Sequence, residues 1–352
     1  MKSLLDSKAV VFIGPGGVGK TTSAVVFSLL AAWQGKKVGL LSIDPSKRLA
    51  SALGMNLKGK PKLLNLGPEV KGSIHAGVVD LKQIFDDKVR EFSKSQTKID
   101  KILGHPLYKA ASTNLSGPVE YMSLARFQEM VDGGEFDIVV LDTPPDHHAL
   151  DFLTRPNVLA GFMDKKIIQW LVKPFALAGR LGLGKIFSMG EKLMGGLAQI
   201  TGISTLHKFA EFVIDLQEVI EGFHRLGTRT LAIFADKSTR FVLVSSVHHD
   251  RIYSIKSLGL KLIELGFTNP DLIINRCLPQ QVTDDLSEVP MGTNPILDEM
   301  GQRIQREKDL TKWFSGISSG HIIRADDIGT EVDSLESLTK FALAQSQLDS
   351  EV

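Results

Sequence analysis

The stretch that most constrains this chain is Gly14-Pro15-Gly16-Gly17-Val18-Gly19-Lys20-Thr21, set between the apolar run Ala9 to Ile13 and a helix-like run from Thr22 to Gln34. It reads G-x-x-x-x-G-K-T. A buried strand that delivers a glycine-rich turn into a helix N-terminus forms a nest of backbone N–H groups at the positive end of the helix dipole, which is a receptacle for phosphate. A triphosphate fits such a loop. Gly16, Gly17, Val18, Gly19 and Thr22 surround the phosphates, Lys20 reaches the β and γ groups, and the Thr21 hydroxyl holds a magnesium ion that bridges them.

The rest of the chain reads as the α/β scaffold that such a loop needs. Gly35 ends the first helix. Val38 to Ile43 is a continuous apolar strand that stops at Asp44-Pro45-Ser46, leaving Asp44 at the carboxyl end of a parallel strand, where ligands bind in open α/β sheets. Ile74 to Val79 reads as a third strand, and Leu81, Ile84, Phe85, Val89 and Phe92 follow helical spacing. Residues 95–117 are polar and weakly periodic, and read as connecting structure. Leu124, Phe127 and Met130 mark a helix. Gly133-Gly134 ends it before a strand from Phe136 to Asp142, and a carboxylate closing a buried strand is the second half of a nucleotide site, a Walker B aspartate supporting magnesium. Strands are expected again at Phe241 to Val247, Leu272 to Asn275 and Ile322-Ile323. Helices are expected over 252–265, 296–314 and from Ser334, with a surface loop over 279–295.

The strand and helix alternation lapses between Asn157 and Gly227. Leu206, Phe209, Phe212, Val213, Leu216, Val219, Ile220 and Phe223 follow helical spacing and read as a core-packing face. The run from Gly179 to Gly202, rich in glycine with Met189 and Met194, reads either as simple packing or disorder or as a mobile surface for varied apolar clients. The expected architecture is a doubly wound, mostly parallel sheet of the P-loop NTPase type. Residues 1–156 and 228–352 form its nucleotide domain, and 157–227 form a helical insertion.

Composition narrows the function. The chain has 352 residues, a formal net charge of +1, 23% charged and 43% apolar residues, a balance that offers no bulk electrostatic case for a nucleic-acid partner. The one cysteine, Cys277, forms no internal disulfide and no multi-thiolate metal site, and it suits a reducing compartment. The first residues lack the apolar core of a secretory signal, so a cytoplasmic location is expected. The pairs His147-His148 and His248-His249 are poor chelators, because adjacent side chains diverge.

Three blocks together resemble the arsenite-transporter ATPase (ArsA) family, which includes the ATPase of the guided-entry pathway for tail-anchored proteins. They are the loop, Ser42-Ile43-Asp44-Pro45-Ser46, and the long block from Asp142-Thr143-Pro144-Pro145 to Arg155-Pro156. The resemblance implies Mg-dependent hydrolysis of ATP by a homodimer. It makes Asp44 the switch I residue that orients the attacking water, and Lys20 its electrostatic partner. Asp142 becomes the magnesium-supporting start of switch II, and Asn275 the amide that reads adenine. A hydrophobic protein client or a membrane-associated partner follows from the same likeness, with no nucleic acid. A ParA- or MinD-like positioning switch is the alternative, and an arsenite-pump subunit is a weaker one.

The chain also departs from the family. Pro15 stands where the family usually carries a lysine that reaches the partner's phosphates, so the missing charge is expected from Lys47 or Arg48. Cys277 alone replaces neither the paired zinc cysteines nor the arsenite-binding thiols. Asp146-His147 stands in place of the usual Thr-Gly.

Overall fold

The computed structural model describes residues 1–43, 48–57, 59–106, 108–109, 119–144, 212, 214–267, 269–286, 292, 294–329 and 332–348. Among them lies one sheet of eight strands: β1 (Ala9–Ile13), β2 (Lys37–Ser42), β3 (Lys62–Leu63), β4 (Ser73–Val78), β5 (Ile138–Asp142), β6 (Thr239–Ser246), β7 (Asp271–Cys277) and β8 (Ile322–Asp326). The spatial order is β3-β4-β2-β5-β1-β6-β7-β8. Every pairing is parallel except that of the short edge strand β3 with β4. β1 and β5 are buried at every position, as strands covered on both faces require.

The helices are α1 (Lys20–Trp33), α2 (Arg48–Ala52), α3 (Leu81–Phe92), α4 (Gln96–Gly104), α5 (Val119–Asp132), α6 (Gln217–Ala235), α7 (His249–Glu264), α8 (Gln280–Leu286), α9 (Pro295–Ile317) and α10 (Leu335–Leu348). Strand alternation splits the core into two layers. Val10, Phe12, Val38, Leu40, Val242 and Val244 join α1 and α10 on one face. On the other, a Cβ at Gly39 of β2 would meet Met130 of α5 at 2.5 Å, and one at Gly259 of α7 would meet Trp313 of α9 at 2.9 Å and Leu243 of β6 at 3.2 Å. The sheet is therefore covered on both sides, the doubly wound arrangement expected.

Local chemistry explains the helix limits. α1 ends where Gly35, at φ +86°, turns the chain, and its N–H and that of Lys36 close on the Ala32 and Ala31 carbonyls at 2.9 and 3.0 Å. α9 begins with Asn294, whose side chain accepts from the Ile296 N–H at 2.8 Å, followed by Pro295 in the first turn.

Three expectations need correction. The connecting segment over 95–117 contains α4, anchored by buried Ile99 and Ile102, a stripe too short to show as periodicity. The loop expected over 279–295 contains α8, which buries no residue and so carries no apolar stripe to detect. β8 runs on to Asp326 because polar Arg324 and Asp326 pair with each other within it.

The chain divides into two compact units. One comprises Met1–Asp80, Ser123–Thr154 and Leu231–Val352; the other comprises Leu81–Met122 and Arg155–Thr230. The second unit thus takes in α3 and α4 beside the segment read as an insertion. Within it Phe223, the end of the long apolar stripe, stacks on Phe85 and meets Phe92 edge-on, each at 5.5 Å between ring centres. Leu206, Phe209 and Val213 of that stripe, and the Gly179 to Gly202 run, lie outside the described residues.

At the amino ends of β6 and β7, the fully buried Asp271 carboxylate accepts from Arg240 Nη2 at 2.8 and 2.7 Å and from the His321 N–H at 2.8 Å. Breaking a buried pair costs about 3–5 kcal/mol, and Arg240, at 28% exposure, recovers some hydration. Asp271→Ala is therefore expected to lower the unfolding free energy by about 3 kcal/mol in urea titrations. Nucleotide affinity should stay unchanged, because this triad sits at the opposite edge from the glycine-rich loop.

Candidate functional site

The carboxyl ends of β1, β2 and β5 converge on one carboxylate. Ser42 and Asp142 are register partners, as are Phe12 and Asp142. Fully buried Asp142 accepts hydrogen bonds at Oδ2 from the Thr21 hydroxyl and from the Ser42 hydroxyl, each at 2.8 Å. Thr143, the next residue, donates its hydroxyl to the Phe12 carbonyl at 2.8 Å, fixing the exit of β5 against β1. Ser42 is a site residue that the sequence alone does not single out; the available signal is a small hydroxyl in the last position of an otherwise apolar strand.

The glycine-rich loop closes over this point. Gly17 and Gly19 take φ +77° and +95°, which side chains rarely adopt. Lys20 is 7% exposed and donates through Nζ to the Gly14 and Pro15 carbonyls at 2.8 and 3.0 Å. The ammonium is thus held across the loop mouth by neutral acceptors that a phosphate oxygen would replace with a charged one. Asn275, at the end of β7, donates Nδ2 to the Val18 carbonyl at 2.8 Å and accepts the Arg276 N–H at 2.9 Å. In this arrangement its amide braces the phosphate loop, which leaves its second N–H for a base.

Two clefts flank the loop. One, of about 370 Å³, is bordered by Gly17, Lys20, Thr21, Arg48, Thr143 and Arg276. The other, of about 620 Å³, is bordered by Asn275, Arg276, Arg303, Asp326, Asp327 and His248. Gly19, Thr22, Arg276, Val332 and Asp333 border both. Their sizes are those of small-ligand sites, and the pair matches a triphosphate end and a base end. Arg276 holds a left-handed φ of +59° at this junction, and its carbonyl is bonded by Arg303 at 2.8 Å.

Charge in the wider cleft is shaped by burial. Asp326 is pushed above the usual carboxylate range, first by desolvation and then by Glu307, against the opposing pull of Arg324. Burial likewise drives the Cys277 thiol up, with Glu307 adding to it, so this cysteine is an inert core residue.

Thr21 and Asp142 supply hard oxygen donors suited to magnesium, which keeps several waters and binds through one or two protein oxygens plus substrate phosphates. Among the described residues no cluster of three His, Cys, Asp or Glu is placed to hold a metal. Asp44, Lys47 and the pair His147-His148 lie outside the described residues, as does all of the long block after Pro144. The structure therefore brings together the loop, Thr22, Thr21, Asp142 and Asn275, and adds Ser42, Arg48 and Arg276.

A Cβ at Gly19 would fall 2.2 Å from Asn275 Nδ2, at a φ that already strains any side chain. Gly19→Ala is expected to weaken binding of a fluorescent ATP analogue at least about tenfold. Thr21→Ala, which removes the hydroxyl that Asp142 accepts, is instead expected to lose any magnesium dependence of binding.

The profile of the anion-transporting ATPase family (ArsA) matches residues 7–342. The chain is 25% identical to the ATPase GET3 of Malassezia globosa over 282 residues, covering 79% of this chain and 76% of that protein. It is 24% identical to ATPase ASNA1 homolog 2 of Paramecium tetraurelia over 283 residues, covering 79% of each. It is also 24% identical to the ATPase ARSA2 of Chlamydomonas reinhardtii over 356 residues, covering 97% of this chain and 86% of that one. A match that takes in both halves of the sheet, together with the Thr21–Asp142 pair beneath a glycine-rich loop, means that the chain belongs to the anion-transporting ATPase (ArsA) family.

Proposed function

We propose that this ATPase works as a magnesium-dependent homodimer whose nucleotide state moves the segment 157–227, and that this segment receives a hydrophobic protein client or a membrane-associated partner. The observation that carries the nucleotide half of this reading is the Thr21 hydroxyl on Asp142 Oδ2 at 2.8 Å, directly below the loop that holds Lys20. Thr21 and Asp142 are the residues that would hold magnesium, which when bound would supply charge neutralisation at the phosphates. The protein's own part is electrostatic and positional. Lys20 exchanges its loop carbonyls for phosphate oxygens, and the loop amides face the developing charge. Asp44 orients the attacking water, and Asn275 offers its remaining N–H to adenine.

The client half rests on connectivity. Asp142 and Thr143 close β5, and the chain runs from there toward 157–227, so a change in how Thr143 is held at Phe12 is relayed along the backbone. No helix among the described residues is long and apolar enough to cross a membrane. A location in the cytoplasm is part of the same proposal.

Asp44→Asn is expected to bind ATP within a few-fold of the parent while turnover falls at least about a hundredfold. Held in ATP, this variant should co-isolate apolar peptides, and deletion of residues 160–205 should abolish that capture with nucleotide binding retained. Turnover that survives the substitution removes Asp44 from the mechanism. Retention of a folded partner but no apolar peptide favours the positioning-switch reading.

A further inference from the structure

The phosphate cleft contains a cation that neither the glycine-rich loop nor the Thr21–Asp142 pair accounts for. Arg48 is the first residue of α2, exposed on the wall of the 370 Å³ cleft that also includes Lys20, Thr21 and Thr143. It does not border the wider, base-end cleft, whereas Arg276 borders both. That division places Arg48 at the phosphate end alone.

Its position is fixed by packing. The next residue, Leu49, is 2% exposed within the core, and its carbonyl accepts the Leu53 N–H at 3.0 Å. α2 is thus pinned to the sheet by Leu49 while Arg48 faces the cleft. No hydrogen bond or ion pair among the described residues engages its guanidinium. A cation that borders the phosphate loop and pairs with no carboxylate among the described residues is available to an anion.

The loop creates the demand for one. Position 15 is proline, which brings no charge to the phosphates. Lys20 is a single ammonium. In phosphoryl transfer the equatorial γ oxygens and the leaving β-phosphate oxygen gain charge together, and a forked guanidinium meets both more effectively than a point charge.

We propose that Arg48 is a catalytic residue supplied in cis, which binds the γ-phosphoryl oxygens of ATP and stabilises the charge that develops during hydrolysis, so that each protomer completes its own active site. In the step it assists, a water oxygen bonds to the γ phosphorus. The bond from that phosphorus to the bridging oxygen breaks with its electron pair remaining on the ADP β-phosphate. The proton of the attacking water ends on the released phosphate, and Arg48 keeps its own protons throughout. The inference rests on the ATPase activity and is independent of any client or dimer motion.

The test combines substitution with dilution. Arg48→Ala is expected to lower kcat about 10³-fold, with the affinity for a fluorescent ATP analogue within about threefold of the parent, and to abolish capture of ADP with fluoroaluminate. Arg48→Lys should recover part of the loss, because it restores charge without the fork. Parent turnover per protomer should stay constant when the protein is diluted from micromolar to nanomolar concentration. Turnover of Arg48→Ala above a tenth of the parent, or parent turnover that falls in proportion to dilution, would overturn the proposal, the second by showing that a neighbouring copy supplies the charge. Unchanged fluorescent-nucleotide binding by both variants separates a catalytic loss from a folding defect.

Discussion

The Asp142 carboxylate is the constraint on which the rest of the site depends. It is fully buried at the point where three parallel strands end, and two hydroxyls from different elements point at one of its oxygens. A carboxylate in such a place is expensive unless its hydrogen bonds are satisfied. The two bonds accepted at Oδ2 fix the first turn of α1 through Thr21 and the end of β2 through Ser42. The loop between β1 and α1 is then anchored at its helical end by Thr21, while the Thr143 hydroxyl on the Phe12 carbonyl holds the end of β1. Preorganisation of this kind lets the amides act on phosphate without the cost of ordering them at each turnover.

The same geometry separates the labour of the two arginines. Arg276 sits where the two clefts meet, with a backbone conformation that Arg303 secures through its carbonyl. Arg48 stands on a short helix tied to the core by Leu49. One borders both clefts, the other only the cleft at Lys20 and Thr21. With proline at position 15 of the loop, Arg48, on the connection after β2, adds a cation to the same cleft.

How much of this is legible in the sequence depends on what each residue does. Thr21, Lys20 and Asp142 are legible because their roles rest on short-range order: a strand, a glycine turn, a helix start, a strand-end carboxylate. The two-layer core is legible because β1, β2, β5 and β6 are apolar runs too short for helices and too uniform for a half-exposed sheet. Ser42, Arg276 and Asp326 are not, since each acquires its place only when strands distant in sequence fall into register. α4 and α8 escape for a different reason: Ile99 and Ile102 make a single turn of apolar spacing, and α8 has none, so local pattern carries no helical period there. The second unit is hard to draw for the same reason, because Phe85, Phe92 and Phe223 lie on segments far apart in the chain and declare their association only by stacking.

The contact between Asn275 and the loop has an evolutionary side. With Nδ2 on the Val18 carbonyl and no room for a methyl group at Gly19, positions 19 and 275 are not free to drift one at a time. The loop glycine is required by its backbone angle and again by its neighbour across the sheet. A lineage that exchanged the asparagine for a bulkier side chain would meet the same wall from the other direction. The residues after β8, Asp327, Ile328 and Gly329, border the wider cleft without a contact of this kind to the loop glycine.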